Sequence, residues 1–106
     1  MKTEEYNDTT IIIGQSSQEN WNIINFKCDY IWLHLNSLPS CHVIIQDNNP
    51  DEDTMEYAAE LCKENTKFSH LKRVKVCYTK CNNLKKGPNV GSVIYKNKSK
   101  VNTMMV

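Results

Sequence analysis

Two short apolar runs, Tyr30–Leu35 and Cys41–Gln46, lie almost back to back, with the five residues Asn36–Ser40 between them. Alternation in the first sets Ile31, Leu33 and Leu35 on one face and Tyr30, Trp32 and His34 on the other. In the second, Val43 and Ile45 share a face, with His42 and Ile44 opposite. So short a connection, containing Pro39, predicts an antiparallel hairpin, because a parallel return needs a longer crossover. The fold must therefore be built around antiparallel pairing.

The flanking segments add to that hairpin. Ile11-Ile12-Ile13 is β-branched and stopped by Gly14, which predicts a buried strand. Ser16 and Glu19 have capping-box spacing, so a helix is predicted over about Gln18–Lys27 with Trp21, Ile24 and Cys28 on its core face. Asp53 and Glu56 mark the start of a second helix whose buried stripe is Met55, Ala58, Ala59 and Cys62. Arg73–Thr79 alternates, with Val74, Val76 and Tyr78 inward and Arg73, Lys75 and Cys77 outward. Lys80–Asn89 reads as a basic, amide-rich loop, and Gly91–Tyr95 and Val101–Met105 read as closing strands. About six strands and two helices in mixed order predict an α+β fold, with both helices packed on one face of a largely antiparallel sheet. Residues 1–10 are expected to be a flexible acidic N-terminus, and residues 11–106 a single domain.

Charge divides the chain. Residues 1–60 carry two lysines against eleven acids, a balance of −9; residues 61–106 carry ten lysines and Arg73 against Glu64, a balance of +10. The formal net charge of +1 hides this split. A polyanion responds to the local field, and at physiological salt charges more than about 8 Å away are largely screened, so the segregation points to phosphate or nucleic-acid binding. Scattered surface ion pairs between the halves are the alternative, each worth little.

Other classes are disfavoured. No apolar run approaches the roughly 20 residues of a membrane span. The polar, acidic start is unlike a signal peptide, and five cysteines, an odd number, predict reduced thiols in the cytoplasm or nucleus. Cys77-x3-Cys81 and His34-x7-His42 lack zinc-finger spacing, so no metal or other cofactor is expected. The chain carries no HExxH, P-loop, GxGxxG or CxxC motif.

Two groups of residues carry candidate chemistry. In the first, Lys80, Lys85 and Lys86 supply point charges for phosphates, and Asn82 and Asn83 supply amides for sugar or base edges. Arg73 and Lys75, then Lys96, Lys98 and Lys100, extend that patch. The alternative for these residues is a solvated lysine-rich loop. In the second, Trp32, His34 and His42 share the hairpin. On an open sheet face their rings stack unpaired bases; beneath a covering element Trp32 belongs to the core and the histidines are hydrogen-bonded. Asp29 with His34 and His42 gives an enzymatic alternative, a general acid/base or metal cluster acting on nucleic acid. A third class is a protein-interaction adaptor whose acids Asp47, Asp51, Glu52, Asp53, Glu56 and Glu60 dock a basic partner.

The series Gly14-x5-Asn20, Asp29, Trp32-Leu33-His34 and Leu38-Pro39-Ser40-Cys41-His42-Val43-Ile44-Ile45 resembles the signature of the NFACT-R domain. Thr54–Leu61, Val76-Cys77-Tyr78-Thr79, Leu84-Lys85-Lys86 and Gly91-Ser92-Val93-Ile94-Tyr95 continue the resemblance to about Val101. Asp29-Tyr30-Ile31-Trp32 is one residue longer than the usual spacing, and Pro39-Ser40-Cys41-His42 replaces the usual small-Gly-Ser-His turn. The resemblance implies a module of the ribosome-associated quality-control factors that add tails to stalled nascent chains, or of their short eukaryotic relatives. It implies RNA or DNA binding through the basic segment, with tRNA, ribosomal RNA or the ribosome as partner. No counterpart of the factors' N-terminal domain or coiled coil is seen, so one contact is expected rather than the tailing reaction.

Overall fold

Asn7 and Asp8 both hold positive φ, 50° and 63°, in the computed structural model, which describes all 106 residues. Two successive left-handed residues make the type I′ turn that suits a twisted hairpin, and asparagine and aspartate tolerate it better than other non-glycine residues. The chain therefore reverses between β1 (Lys2–Tyr6) and β2 (Thr9–Ile13), pairing Tyr6 with Thr9 and Lys2 with Ile13. The expectation of a flexible N-terminus over residues 1–10 is corrected: seven of the ten lie in strands, five in the edge strand β1 and two in β2. Tyr6 stacks on Tyr57 with ring centroids 4.3 Å apart, and Tyr57 Oη donates to Glu4, so the strand is also held by side chains.

The predicted hairpin forms. β3 (Ile31–Leu35) pairs antiparallel with β4 (Val43–Ile45), and the full sheet runs β1-β2-β4-β3-β5-β8, with β5 at Lys75–Lys80 and β8 at Asn102–Met105. Every neighbouring pair is antiparallel. Six strands were expected, and the sheet has six, but their membership differs. Val93–Tyr95 (β7) leaves the main sheet to pair with β6 (Leu84–Lys86), a strand inside the segment read as a loop, and β1 takes the vacated place.

Both faces of the sheet are covered. α2 (Glu52–Glu64) lies on one face, burying Ala58, Ala59, Leu61 and Cys62 against Ile11, Ile13, Leu33, Leu35, Val43, Ile45 and Val76. Alanines at the contact let the helix axis approach the sheet. Its N-cap is Asp51, whose carboxylate accepts from the Thr54 amide at 2.8 Å, two residues before the expected Asp53. On the other face Trp32, Ile44, Cys77, Cys81 and Leu84 form a second core with Ile24, against which Val93 and Tyr95 pack. Cys77 is thus buried rather than outward, because the β6–β7 hairpin roofs the face it points to.

α1 (Ser17–Asn22) starts as the capping box predicts, with Ser16 Oγ accepting from the Glu19 amide and Glu19 Oε1 from the Gln15 amide. It stops five residues short of the expected Lys27, where the Ile24 amide turns to the Trp21 carbonyl three residues back and Asn25 Oδ1 accepts from the Lys27 amide. α1 itself buries no residue, but Ser17 abuts Gly91, Trp21 donates to the Ser92 carbonyl and Ile24 just beyond it enters the core on the Trp32 face. α1 therefore lies on the side of the α+β sheet opposite α2 rather than sharing its face.

Candidate nucleic-acid interface

None of the eleven cations after residue 60 lies within 4.0 Å of a carboxylate; the single ion pair of the molecule joins the Met1 amine to Glu19 at 2.7 Å. Arg73, Lys75, Lys80, Lys85, Lys86, Lys96, Lys98 and Lys100 are all exposed. A lysine on a short strand with one apolar neighbour inward has its ammonium group in solvent, and β6 illustrates this. Leu84 is fully buried while Lys85 and Lys86 emerge, with Lys86 Nζ 4.8 Å from the centre of the Trp21 ring.

The structure divides the predicted patch. Lys80, Asn82 and Lys100 border a groove of about 490 Å³ with Asn83 and Asn102, and Asn83 bonds to Asn97, between Lys96 and Lys98. Arg73 and Lys75 sit at the other end of β5, beside the register partner Met105, about 17 Å away at 3.3 Å per residue. Lys80 also borders a groove that holds Glu52 and Glu56.

Asn83 does not belong with the amides offered to a ligand. It is 6% exposed, its Nδ2 donates to Thr79 Oγ1 and to the Asn97 carbonyl, and its Oδ1 accepts from the Asn97 amide at 2.9 Å. The side chain is spent on tying the turn before β6 to the segment after β7. Asn82, its neighbour, remains exposed.

Trp32 is 1% exposed and His42 4%, so the face that carries them is not open. The His34 ring stacks on Trp32 at 5.6 Å and 9°; His42 and Tyr95 meet Trp32 edge-on at 5.4 Å and 5.9 Å. His34 Nδ1–H donates to the Leu35 carbonyl at 2.7 Å, which leaves its Nε2 as an acceptor. Burial, and then the nearby His34, push the His42 imidazole down to about 3, and burial lowers His34 as well. Both rings are neutral at physiological pH and bring no charge to a phosphate. These side chains line a cavity of about 520 Å³ between the Asn36–Ser40 connection and the turn at Val90–Ser92.

Two glycines set the walls of that cavity. A Cβ on Gly14 would collide with Asn20, whose Oδ1 accepts from the His42 amide at 3.1 Å. Gly91, at φ 89°, lies so close to α1 that a Cβ would stand 2.8 Å from the Ser17 carbonyl oxygen. Trp21 Nε1 donates to the Ser92 carbonyl at 2.7 Å and completes the contact.

Asp29 is not brought to the histidines. It sits before the opposite end of β3, and its Oδ2 accepts from Asn48 Nδ2 at 3.3 Å. No three His, Cys, Asp or Glu side chains gather as a metal site, and no helix is long and apolar enough to cross a membrane.

Comparison with known proteins agrees with this architecture. The chain is 34% identical over 99 residues to the Rqc2 homolog RqcH of Bacillus subtilis (strain 168), across 87% of this chain and 17% of that protein. The structure is similar to that of the C-terminal part of the fibronectin/fibrinogen-binding protein of Streptococcus suis (FBPS), with a TM-score of 0.84 and 25% identity over 98% of this chain and 43% of that one. The chain spans less than half the length of either relative. A family model described as the NFACT protein RNA binding domain matches residues 1–98, the β1–β2 hairpin included, and the chain belongs to that family.

Proposed function

We propose that this domain binds tRNA or ribosomal RNA in ribosome-associated quality control, in the cytoplasm, and that it recognises RNA without carrying out chemistry on it. One observation carries the reading: the cations of residues 61–106 are unpaired with carboxylates and, apart from the half-buried Lys63, exposed, so their field reaches solvent. Lysines neutralise phosphates, and Asn82 adds a neutral donor and acceptor beside them. The likeness to RqcH supports the ribosomal setting, and the family supports RNA as the ligand. Lys85 and Lys86 on the hairpin are the centre of the proposed contact, flanked by Lys80, Lys96, Lys98 and Lys100; Arg73 and Lys75 stand apart from it.

The test is RNA retention as a function of salt. For a single strand, log K falls with log salt by about 0.7 per phosphate neutralised. Lys85→Glu/Lys86→Glu should weaken retention at every salt concentration and reduce the slope by about 1.4 if two phosphates are lost. An unchanged slope and affinity in the folded double variant would remove this site. Crosslinking in cells followed by sequencing of the attached RNA then identifies the ligand.

A further inference from the structure

Two polar side-chain atoms are sealed from solvent with no hydrogen-bond partner: Trp32 Nε1 and His42 Nδ1. Folded proteins pair nearly all such atoms, so two orphans in ring-to-ring contact call for a ligand. Both side chains are more than nine-tenths buried, and both line the 520 Å³ cavity, a size typical of a small-molecule site. On its rim Ser37 holds a φ of 62°, a left-handed conformation of the kind that gathers at binding sites.

The lining selects the occupant. It contains no Lys, Arg, Asp or Glu, and its two imidazoles are held neutral, so nothing there compensates an anion. The rim carries the hydroxyls and amides of Ser17, Asn20, Asn36 and Ser37, and beside the aromatic rings the buried wall offers two unsatisfied atoms, the Trp32 indole N–H as donor and His42 Nδ1 as acceptor. That complements a flat, neutral heterocycle with a carbonyl next to a ring N–H. The surroundings supply the rest of a nucleotide's needs, because Val93 on the cavity wall is the register partner of Lys86 on β6. A strand whose phosphate meets Lys86 has a base within reach of the opening.

We propose that the cavity receives a single unpaired nucleobase of the uracil or guanine type, its carbonyl accepting from Trp32 Nε1 and its ring N–H donating to His42 Nδ1, the other orphaned atom. This rests on the RNA-binding reading above and deepens it: lysines hold the backbone, and the cavity reads one base.

The experiment follows the two indole N–H signals of the intact protein by proton–nitrogen correlation NMR, during titration with uridine, guanosine, cytidine, adenosine and inorganic phosphate. Trp21 is the internal reference, since its Nε1 already donates to Ser92. Uridine or guanosine should move the Trp32 signal downfield and saturably, with cytidine and adenosine at least about fivefold weaker for want of one hydrogen bond. His42→Phe, which keeps a ring against Trp32, should weaken uridine and guanosine about fivefold or more. A Trp32 signal that no nucleoside moves, or that phosphate moves instead, overturns the assignment, as does full affinity in His42→Phe. The two readings fail separately. Loss of the Trp32 response with lysine-dependent RNA retention intact retires the cavity alone, whereas a Trp32 response to uridine without RNA retention retires the lysine surface and keeps the cavity.

Discussion

Mild acid should destabilise this domain through His42. The ring is 4% exposed, 5.4 Å from Trp32 and 5.0 Å from His34, and burial, then His34, hold it down to about 3 against an ordinary 6.5. An unfolded chain binds the proton below pH 6.5, while the folded one binds it only near pH 3. The unfolded state therefore takes up more protons across that window, and stability, complete above pH 6.5, falls as the pH falls. At pH 5 the 1.5-unit gap from 6.5 is worth about 2 kcal/mol, and the loss grows to roughly 4–5 kcal/mol near pH 3. His34 shifts in the same direction, also through burial, and adds to the effect. Against a total of about 5–15 kcal/mol this is a large share. Urea unfolding followed by circular dichroism at about pH 7.5 and about pH 5 measures it, with His42→Phe as the comparison in which the carboxylate contributions common to both proteins cancel. The wild type should lose about 2 kcal/mol more than the variant between those two conditions, a midpoint difference of about 1 M urea. Parallel losses in the two proteins would refute the claim that a buried neutral imidazole underlies the acid sensitivity.

Two further substitutions test the frame around the site. Asn83→Ala removes bonds to Thr79 and Asn97 and strands the buried partners, so it should cost about 2–3 kcal/mol in chemical denaturation, while Asn82→Ala, exposed, should stay within about 0.5 kcal/mol. Equal effects would mean that Asn83 is not the clip between the two segments. Asp8→Gly places the preferred residue in the second left-handed position of the β1–β2 turn and should raise the thermal midpoint, by about 0.5 kcal/mol of stability. A lower midpoint would show that the turn depends on the aspartate itself.

How much of this was legible depended on the range of the interaction that decides each element. The α1 cap is local, and Ser16 with Glu19 predicts it in the right place. The β3–β4 hairpin is nearly local, and its alternation was sufficient. The apolar stretches Ile31-Trp32-Leu33 and Val43-Ile44-Ile45 also carry the signal of burial on both faces, since neither alternates fully with polar residues. That signal fixes a covered face without naming the cover. The roof is the β6–β7 hairpin, and in the lysine-rich run that opens it Leu84 is the one large apolar residue, which takes its meaning from Trp32 and Ile44 far back in the chain. β1 was missed for the opposite reason: Glu4, Glu5 and Asp8 gave a solvated look, yet Asn7-Asp8 is turn chemistry and Tyr6 had a ring to stack on. The candidate site split the same way. Charge segregation was visible, but Asn83 and Asn82 are identical in sequence terms, and only the position of Asn97 tells the structural amide from the free one.

The arrangement ties recognition to the core on the Trp32 face. A two-stranded sheet such as β6–β7 is marginal by itself in water, so what holds Lys85 and Lys86 in place is the burial of Leu84 and the contacts of Val93 and Tyr95 with the second core. The same hairpin supplies Val93 and Tyr95 to the cavity wall. Loosening that core thus disperses the lysines and opens the cavity together, although no lysine touches Trp32. A ligand that fills the cavity has the reverse effect, because it stabilises the roof it binds under and with it the charged strand above. Stability and RNA affinity are consequently expected to move together for substitutions on the Trp32 face. They should move independently on the α2 face, where the thirteen-residue cluster between helix and sheet contains no residue of the hairpin.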